Sequence, residues 1–315
     1  MRYIRNTIDF FSDAPTVITL GKFNGLHRGH QKLLRRVLQR QREGLRATVF
    51  TFDVSPVSRL SGKKQRLLLT NSERADVLEA MGTDLLIECP FVREIMEVEA
   101  EEFVREYLVK RLRAACVVIG TDFHFGHGRR GTPKLLERMG REYGFAAEVL
   151  EKETDGTRDI SSTYIREELA EGNMAKVNEL LGYEYFVRGE IVHGRGMGGP
   201  VIGVPTINQV PADEKLLPPR GVYTTVTSVA GQTFGGVSNV GTKPTVDGGF
   251  MGVETHLFGC TSTLYGHEAT VKFLNYQRRE KKFPSLTELR AQLAEDEKNG
   301  KDFLIMYGQT FGYPL

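Results

Sequence analysis

Thr16-Val17-Ile18-Thr19-Leu20-Gly21-Lys22-Phe23-Asn24-Gly25-Leu26-His27-Arg28-Gly29-His30 begins as a short apolar run, turns at glycines, and opens into residues 29–42, rich in Leu, Gln, Lys and Arg. The first five residues read as a buried strand and residues 29–42 as a helix. Ligands of open α/β sheets collect at such carboxyl ends of strands. A helix start presents free N–H groups and positive dipole character to an anion. Gly25 and Gly29 permit close backbone approach. His27 and His30, three residues apart, share one face of a helical turn. Two imidazoles there suit the charge that develops on a triphosphate when an adenylyl group is transferred and pyrophosphate leaves. The competing reading is a structural turn with two capping histidines; the strand before and the helix after favour the anion site.

Outward from this stretch the first half keeps alternating. Strand candidates lie at residues 47–52, 85–88 and 116–120, with helical patterns at 71–81, 99–112 and 165–181. This is the signature of an α/β fold with a parallel sheet. The pattern changes near Leu181-Gly182. Beyond it, strand-like segments at 186–192, 206–209, 222–229, 232–240, 252–258 and 269–276 are separated by turn residues, and Ser285 and Glu288 open a closing helix as a capping box. An antiparallel six-stranded barrel with a C-terminal helix is expected, with domains at 1–183 and 184–315.

Composition bounds the function. The chain has 315 residues, enough for two domains, and a formal net charge of +2, too small to make nucleic acid or an anionic membrane the main partner. No stretch reaches the length of a membrane span and the N-terminus lacks an apolar signal run. Cys89, Cys116 and Cys260 form no metal or disulfide pattern. A cytoplasmic protein acting on small molecules, with at most weak self-association, is expected.

Two further constellations carry chemistry. Ile160-Ser161-Ser162-Thr163-Tyr164-Ile165-Arg166 sets three hydroxyls at a helix start with an arginine in its first turn. These either cap the helix or donate to phosphate oxygens. In the second half, Gly194, Gly196, Gly198 and Gly199 precede Gly203-Val204-Pro205-Thr206-Ile207-Asn208. Such a loop cradles phosphate or forms an ordinary hairpin. Thr206 and Asn208 face one way on a strand, and both offer hard oxygens suited to Mg²⁺. In Val253-Glu254-Thr255-His256-Leu257, Glu254 either accepts a proton from an attacking hydroxyl or is a solvated outer-face residue; His256 reads as packing.

Together these segments resemble the bacterial bifunctional riboflavin kinase/FMN adenylyltransferase family over residues 15–303. The first half resembles its Rossmann-like nucleotidylyltransferase domain through Gly21 to His30, Gly120-Thr121-Asp122-Phe123-His124-Phe125-Gly126 and the segment around Ser161. The second resembles the riboflavin kinase barrel through Gly203-Val204-Pro205-Thr206-Ile207-Asn208, Val237-Ser238-Asn239-Val240-Gly241, Leu264-Tyr265-Gly266 and Arg279-Glu280-Lys281-Lys282-Phe283. The resemblance implies ATP-dependent phosphorylation of riboflavin to FMN and adenylylation of FMN to FAD. It makes Glu254 the kinase base, His27 and His30 the groups on the departing pyrophosphate, and Thr206 and Asn208 the Mg²⁺–ATP contacts. Nucleotide- and flavin-binding positions would be Gly21, Phe23, Asn24, Gly25, Asp122, Ser161, Ser162, Thr163 and Arg166, then Gly194, Gly196, Gly198, Gly203 and Asn239. The chain departs from the family at Asn24 (usually Asp), Val54-Ser55 (Pro-His), His124 and Tyr164 (Arg), Val204 (Phe), Ile207 (Ala) and Gly259 (Asp). Retention of only one activity, or binding without turnover, are the alternatives. Ile207 is expected to add bulk between the two metal contacts.

Overall fold

The computed structural model describes residues 1–54, 65–193, 206–245 and 248–311, with the side chains of 243–250, 310 and 311 left aside. Two compact units divide between Ser162 and Thr163.

The first unit is built on strands β1 (Arg2–Arg5), β2 (Thr16–Leu20), β3 (Arg46–Phe52), β4 (Leu85–Cys89), β5 (Ala114–Gly120) and β6 (Ala146–Leu150). All neighbours pair in parallel, in the order β1-β4-β3-β2-β5-β6. β2 and β4 are buried along their whole length, as strands covered on both faces must be. Helix α1 (Arg28–Gln41) follows β2, and α2 (Asn71–Ala80) follows β3. The start of α2 is fixed by a complete capping box between Thr70 and Glu73. A single turn, α3 (Arg93–Met96), precedes α4, which begins at Ala100–Glu102 and is wound as a π-helix over Phe103–Arg111. Thr132 caps α5 (Pro133–Tyr143), which ends at Gly144 in the left-handed region. The largest apolar cluster lies under α4 and α5 and includes Phe50, Ile87, Phe103, Leu108, Ile119 and Leu136. Because β2→β3 runs one way across the sheet and β5 lies on the other side of β2, the switch in strand order falls between β2 and β5.

The second unit contains α6 (Ser162–Ala170) from Thr163 onward, α7 (Met174–Leu181) and the barrel strands β7 (Phe186–Val192), β8 (Thr206–Pro211), β9 (Gly221–Val229), β10 (Gln232–Thr245), β11 (Gly248–Leu257) and β12 (Glu268–Arg278). These close antiparallel in the order β10-β11-β8-β7-β12-β9. The interior is partly polar: Ser238 hydrogen-bonds Thr225 at 2.8 Å and Thr255 at 2.7 Å. Asn178 of α7 donates to the Phe273 carbonyl at 2.9 Å and accepts from the Tyr185 N–H at 2.8 Å, tying that helix to the barrel. Helix α8 (Leu286–Phe311) buries Leu304 against Val226 and Leu274. No helix among the described residues is long and apolar enough to cross a membrane.

Three readings of the sequence need adjustment. The helix expected over 165–181 is two helices, because Gly172 takes φ +75° and Asn173 caps the second through the Lys176 N–H. β1 and β6 are edge strands too short or too weakly patterned to stand out. Helix α5 lies outside the helical patterns expected at 71–81, 99–112 and 165–181, although it carries local signals of its own, Thr132-Pro133 at the start and Gly144 at the end.

Candidate functional sites

The turn after β2 is strained. Phe23 and Leu26 hold φ +47° and +43°, a region costly for residues with a Cβ, and both are fully buried. Gly25 sits between them at φ +87°. Such strain persists only where surroundings over-determine it, and it clusters at functional sites. Asn24 supplies part of that determination. Its Oδ1 accepts the Leu68 N–H at 3.0 Å, and its carbonyl accepts the Ser162 hydroxyl at 2.7 Å.

His27 is the N-cap of α1, in extended conformation, so it is not one helical turn from His30 as the spacing suggests. The rings meet all the same, stacked at 3.7 Å and 24°, with Phe23 5.2 Å from His30. A Cβ on residue 29 would stand 3.2 Å from the His27 ring, which explains glycine there. Neither Nδ1 finds a hydrogen-bond partner among the described residues. Burial pushes His27 down to about 4 and His30 well below its ordinary value, the latter with help from His27. Both are therefore neutral at physiological pH. Each keeps a buried ring nitrogen without a hydrogen-bond partner among the described residues, so an oxyanion reaching the pair would be met by neutral imidazole rather than by a standing charge.

Asp122 follows β5, on the other side of the switch point, and pairs with Lys152 at 3.2 Å while His124 Nδ1 contacts its carbonyl at 2.9 Å. Ser161 and Ser162 lie in the same unit as the histidines; Thr163 and Arg166 belong to the second unit, where burial lowers Arg166. Gly21 closes β2, its N–H donating to the Phe50 carbonyl at 3.2 Å.

In the barrel, Glu254 on β11 lies in register between Asn208 on β8 and Asn239 on β10. The Thr206 hydroxyl donates to Glu254 Oε1 at 2.8 Å. Asn239 Oδ1 is buried and finds no hydrogen-bond partner among the described residues. Val253, Thr255 and Leu257 are buried inward, so Glu254 and His256 point outward, into a cavity of about 390 Å³ closed on its far side by α8. Thr206, Asn239, Glu254, Arg278 and Phe283 line it; Asn208 does not. Arg278 is locked to buried Asp296 of α8 by bonds of 2.8 and 2.5 Å. His256 stands 3.9 Å from Glu297 and 5.7 Å from the Phe258 ring, a packing position at the cavity wall. Ile207 is buried in the cluster with Ile191, Val229 and Leu257, so its extra bulk enters the barrel core and not the space between Thr206 and Asn208. Gly194, Gly196, Gly198 and Gly203, with Ser55 and Val204, lie outside the described residues.

Unpartnered imidazoles at a helix start fit an oxyanion, and a carboxylate held by a hydroxyl at a cavity wall fits a proton acceptor. Joined in one chain on these two folds, they define a two-domain transferase of phosphate groups. Comparison with known proteins narrows the class. Residues 11–164 match the FAD synthetase family model and residues 181–304 the riboflavin kinase model. A bifunctional riboflavin kinase/FMN adenylyltransferase of Escherichia coli strain K12 is 37% identical over 309 residues, covering 96% of this chain and 98% of its own. That of Haemophilus influenzae is 34% identical over 91% of this chain and 93% of its own. A solved structure titled macrolide-efflux protein, from Streptococcus pneumoniae, superposes with a TM-score of 0.84 at 30% identity, covering 95% of this chain and 98% of that one. The chain belongs to the bifunctional riboflavin kinase/FMN adenylyltransferase family and is an enzyme with both activities.

Proposed function

We propose that the two reactions, phosphorylation of riboflavin to FMN and adenylylation of FMN to FAD, run at the two sites described above, with functional modules at 1–183 and 184–315. The observation that carries this reading is the separation of the two constellations into different compact units, each with an unsatisfied buried polar atom: Nδ1 of His27 and of His30 in one, Oδ1 of Asn239 in the other.

In the kinase step Glu254 accepts the proton of the ribityl 5′-hydroxyl as that oxygen attacks the γ-phosphorus of ATP and the β–γ bridging bond breaks to release ADP. The Thr206 hydroxyl, at 2.8 Å, keeps the carboxylate aimed. In the second step a phosphate oxygen of FMN attacks the α-phosphorus of ATP and pyrophosphate departs. His27 and His30 donate hydrogen bonds to the oxygens on which charge accumulates. In the first unit Ser161, Ser162, Asp122 and the Gly21–Gly25 turn hold the substrates; Thr163 and Arg166 keep the phosphate-binding role that the family resemblance implies.

No group of three or more His, Cys, Asp or Glu side chains that could cage a metal occurs among the described residues. The barrel site fits Mg²⁺ arriving with ATP instead: Thr206, Asn208 and Asn239 provide hard oxygen donors, and Asn239 Oδ1 has nothing else to bind among the described residues. The ion would neutralise phosphoryl oxygens; Thr206 and Asn239 would hold it at the cavity wall, whereas Asn208, expected as the second ligand, lies beside Glu254 in register without lining the cavity. Free Cys89, Cys116 and Cys260 suit a reducing cytoplasm, and a net charge of +2 suits small-molecule rather than nucleic-acid partners.

The test is direct. Purified protein is incubated with riboflavin, ATP and Mg²⁺ and the flavins are separated. Glu254→Ala is expected to abolish FMN formation while FAD still forms from supplied FMN. Joint loss of both activities in a folded variant contradicts separate sites.

A further inference from the structure

A buried ion pair outside the sequence motifs lies against the histidine turn. Arg74 on α2 and Glu88 on β4 pair at 2.6 Å, with side chains only 6% and 5% exposed. Arg74 does more than neutralise Glu88. Its Nη1 donates to the Lys22 carbonyl at 3.3 Å, and its Nη2 is 3.4 Å from the Phe52 carbonyl at the end of β3. The Lys22 carbonyl also accepts the Thr51 hydroxyl at 3.3 Å. Lys22 is the residue immediately before Phe23, where the chain enters its left-handed conformation. Burial, with help from the same Glu88 carboxylate, pushes the Tyr3 phenol of β1 up to about 12, so strands β1, β3 and β4 and helix α2 all feed one buried cluster.

The physical argument is one of cost. Apolar replacements of a buried ion pair are often neutral or stabilising, because the desolvation of two charges offsets their attraction. A pair retained at such a place therefore has its best explanation in what else it fixes. Here the fork of the guanidinium spans a carboxylate, the Phe52 carbonyl at a strand end and the Lys22 carbonyl in the turn, a geometry that a point-charge ammonium cannot reproduce. The segment before α2 adds a second tether, since the Leu68 N–H binds Asn24.

We propose that Arg74 and Glu88 are positioning residues for adenylyl transfer: Glu88 orients Arg74, and Arg74 holds the Lys22–Phe23 peptide so that the turn presents the His27–His30 pair to the polyphosphate. This rests on the reading of the histidine turn as the adenylylation site.

The experiment uses the full chain. Arg74→Met combined with Glu88→Leu removes both charges and strands neither, so the fold is expected to survive, as checked by thermal denaturation and by intact riboflavin kinase activity. FAD formation from FMN should fall in kcat/KM by roughly 100-fold, the scale of a misplaced catalytic group, with KM for ATP rising as well as kcat falling. A merely structural role would lower the active fraction, and hence kcat, with KM unmoved. Adenylylation within about 3-fold of the parent, or a kcat loss at constant KM, overturns the proposal. Should the double variant not fold, Arg74→Lys decides. It keeps the charge facing Glu88 but not the fork; a loss of roughly 10-fold with a raised KM supports positioning, and parental kinetics refute it. His27→Ala in the same assay separates the layers. If it is harmless, the site itself is misassigned; if it is damaging while both Arg74 variants are not, only the present inference fails.

Discussion

Replacing Glu254 by glutamine isolates one atom's worth of chemistry. Glutamine matches the shape of glutamate and still offers an oxygen to the Thr206 hydroxyl, now at 2.8 Å from Oε1. The flanking register with Asn208 and Asn239 is untouched. Half-buried at a cavity wall and carrying no core volume change, the substitution should alter stability by no more than about 0.5 kcal/mol. What disappears is the ability to take a proton from the ribityl hydroxyl. A positioned general base contributes on the order of 10²–10⁴ in rate. At about 1.4 kcal/mol per decade, the barrier to phosphoryl transfer should rise by roughly 3–5 kcal/mol. The assay is steady-state turnover of riboflavin to FMN with chromatographic quantitation, beside FMN to FAD by the same preparation. The expected pattern is a kcat loss of about two to four decades in the first reaction and none in the second. A kinase loss under about 10-fold in a protein of parental melting temperature would refute the assignment of Glu254 as base, leaving it as a wall residue of the cavity.

Three other outcomes follow from the geometry. Burial holds His27 down to about 4 and His30 well below its ordinary value, whereas in the unfolded chain both take a proton near 6.5. Stability is thus complete above pH 6.5 and is lost as pH falls toward 4, on the order of 3 kcal/mol for His27 alone. Denaturation of the parent at pH 7 and pH 5 should show the drop and a His27→Asn/His30→Asn variant should flatten it; the depressed carboxyls Glu99, Glu106 and Glu148 act only at lower pH. Asn24→Asp keeps an acceptor for the Leu68 N–H, so FAD formation should hold or rise, and a large loss in steady-state adenylylation would give Asn24 a role of its own. Gly126→Ala sets a Cβ at φ +70° and 2.6 Å from Ala100 Cα, which should cost about 2–5 kcal/mol and lower the melting temperature by roughly 5–15 °C; an unchanged melting curve would show that the loop yields freely.

Much of the candidate machinery was legible from local pattern because its determinants are local. A strand, a glycine turn and a helix start are encoded within residues 16–30, and alternation along β11 told which face Glu254 shares with His256. The same period-2 rule places Ile207 opposite Thr206 and Asn208, so its side chain enters the barrel core and does not crowd those two residues. The edge strands β1 and β6 escaped because a short strand paired on one side needs little hydrophobic patterning of its own.

By itself, then, the sequence determined the two-domain plan, the parallel and antiparallel characters of its sheets, and the residue types gathered at the two candidate sites, since these depend on periodicity and turn chemistry over a few residues. Only the tertiary structure decided that His27 stacks on His30 from an N-cap position, that their nitrogens are left without partners and neutral, that Glu254 faces a cavity closed by a helix some 30 or more residues away in the chain, and that Arg74 reaches across from Glu88 to the Lys22 carbonyl. The last two are contacts between segments distant in sequence, fixed by strand order; the first two rest on burial, and neither quantity has a local signature.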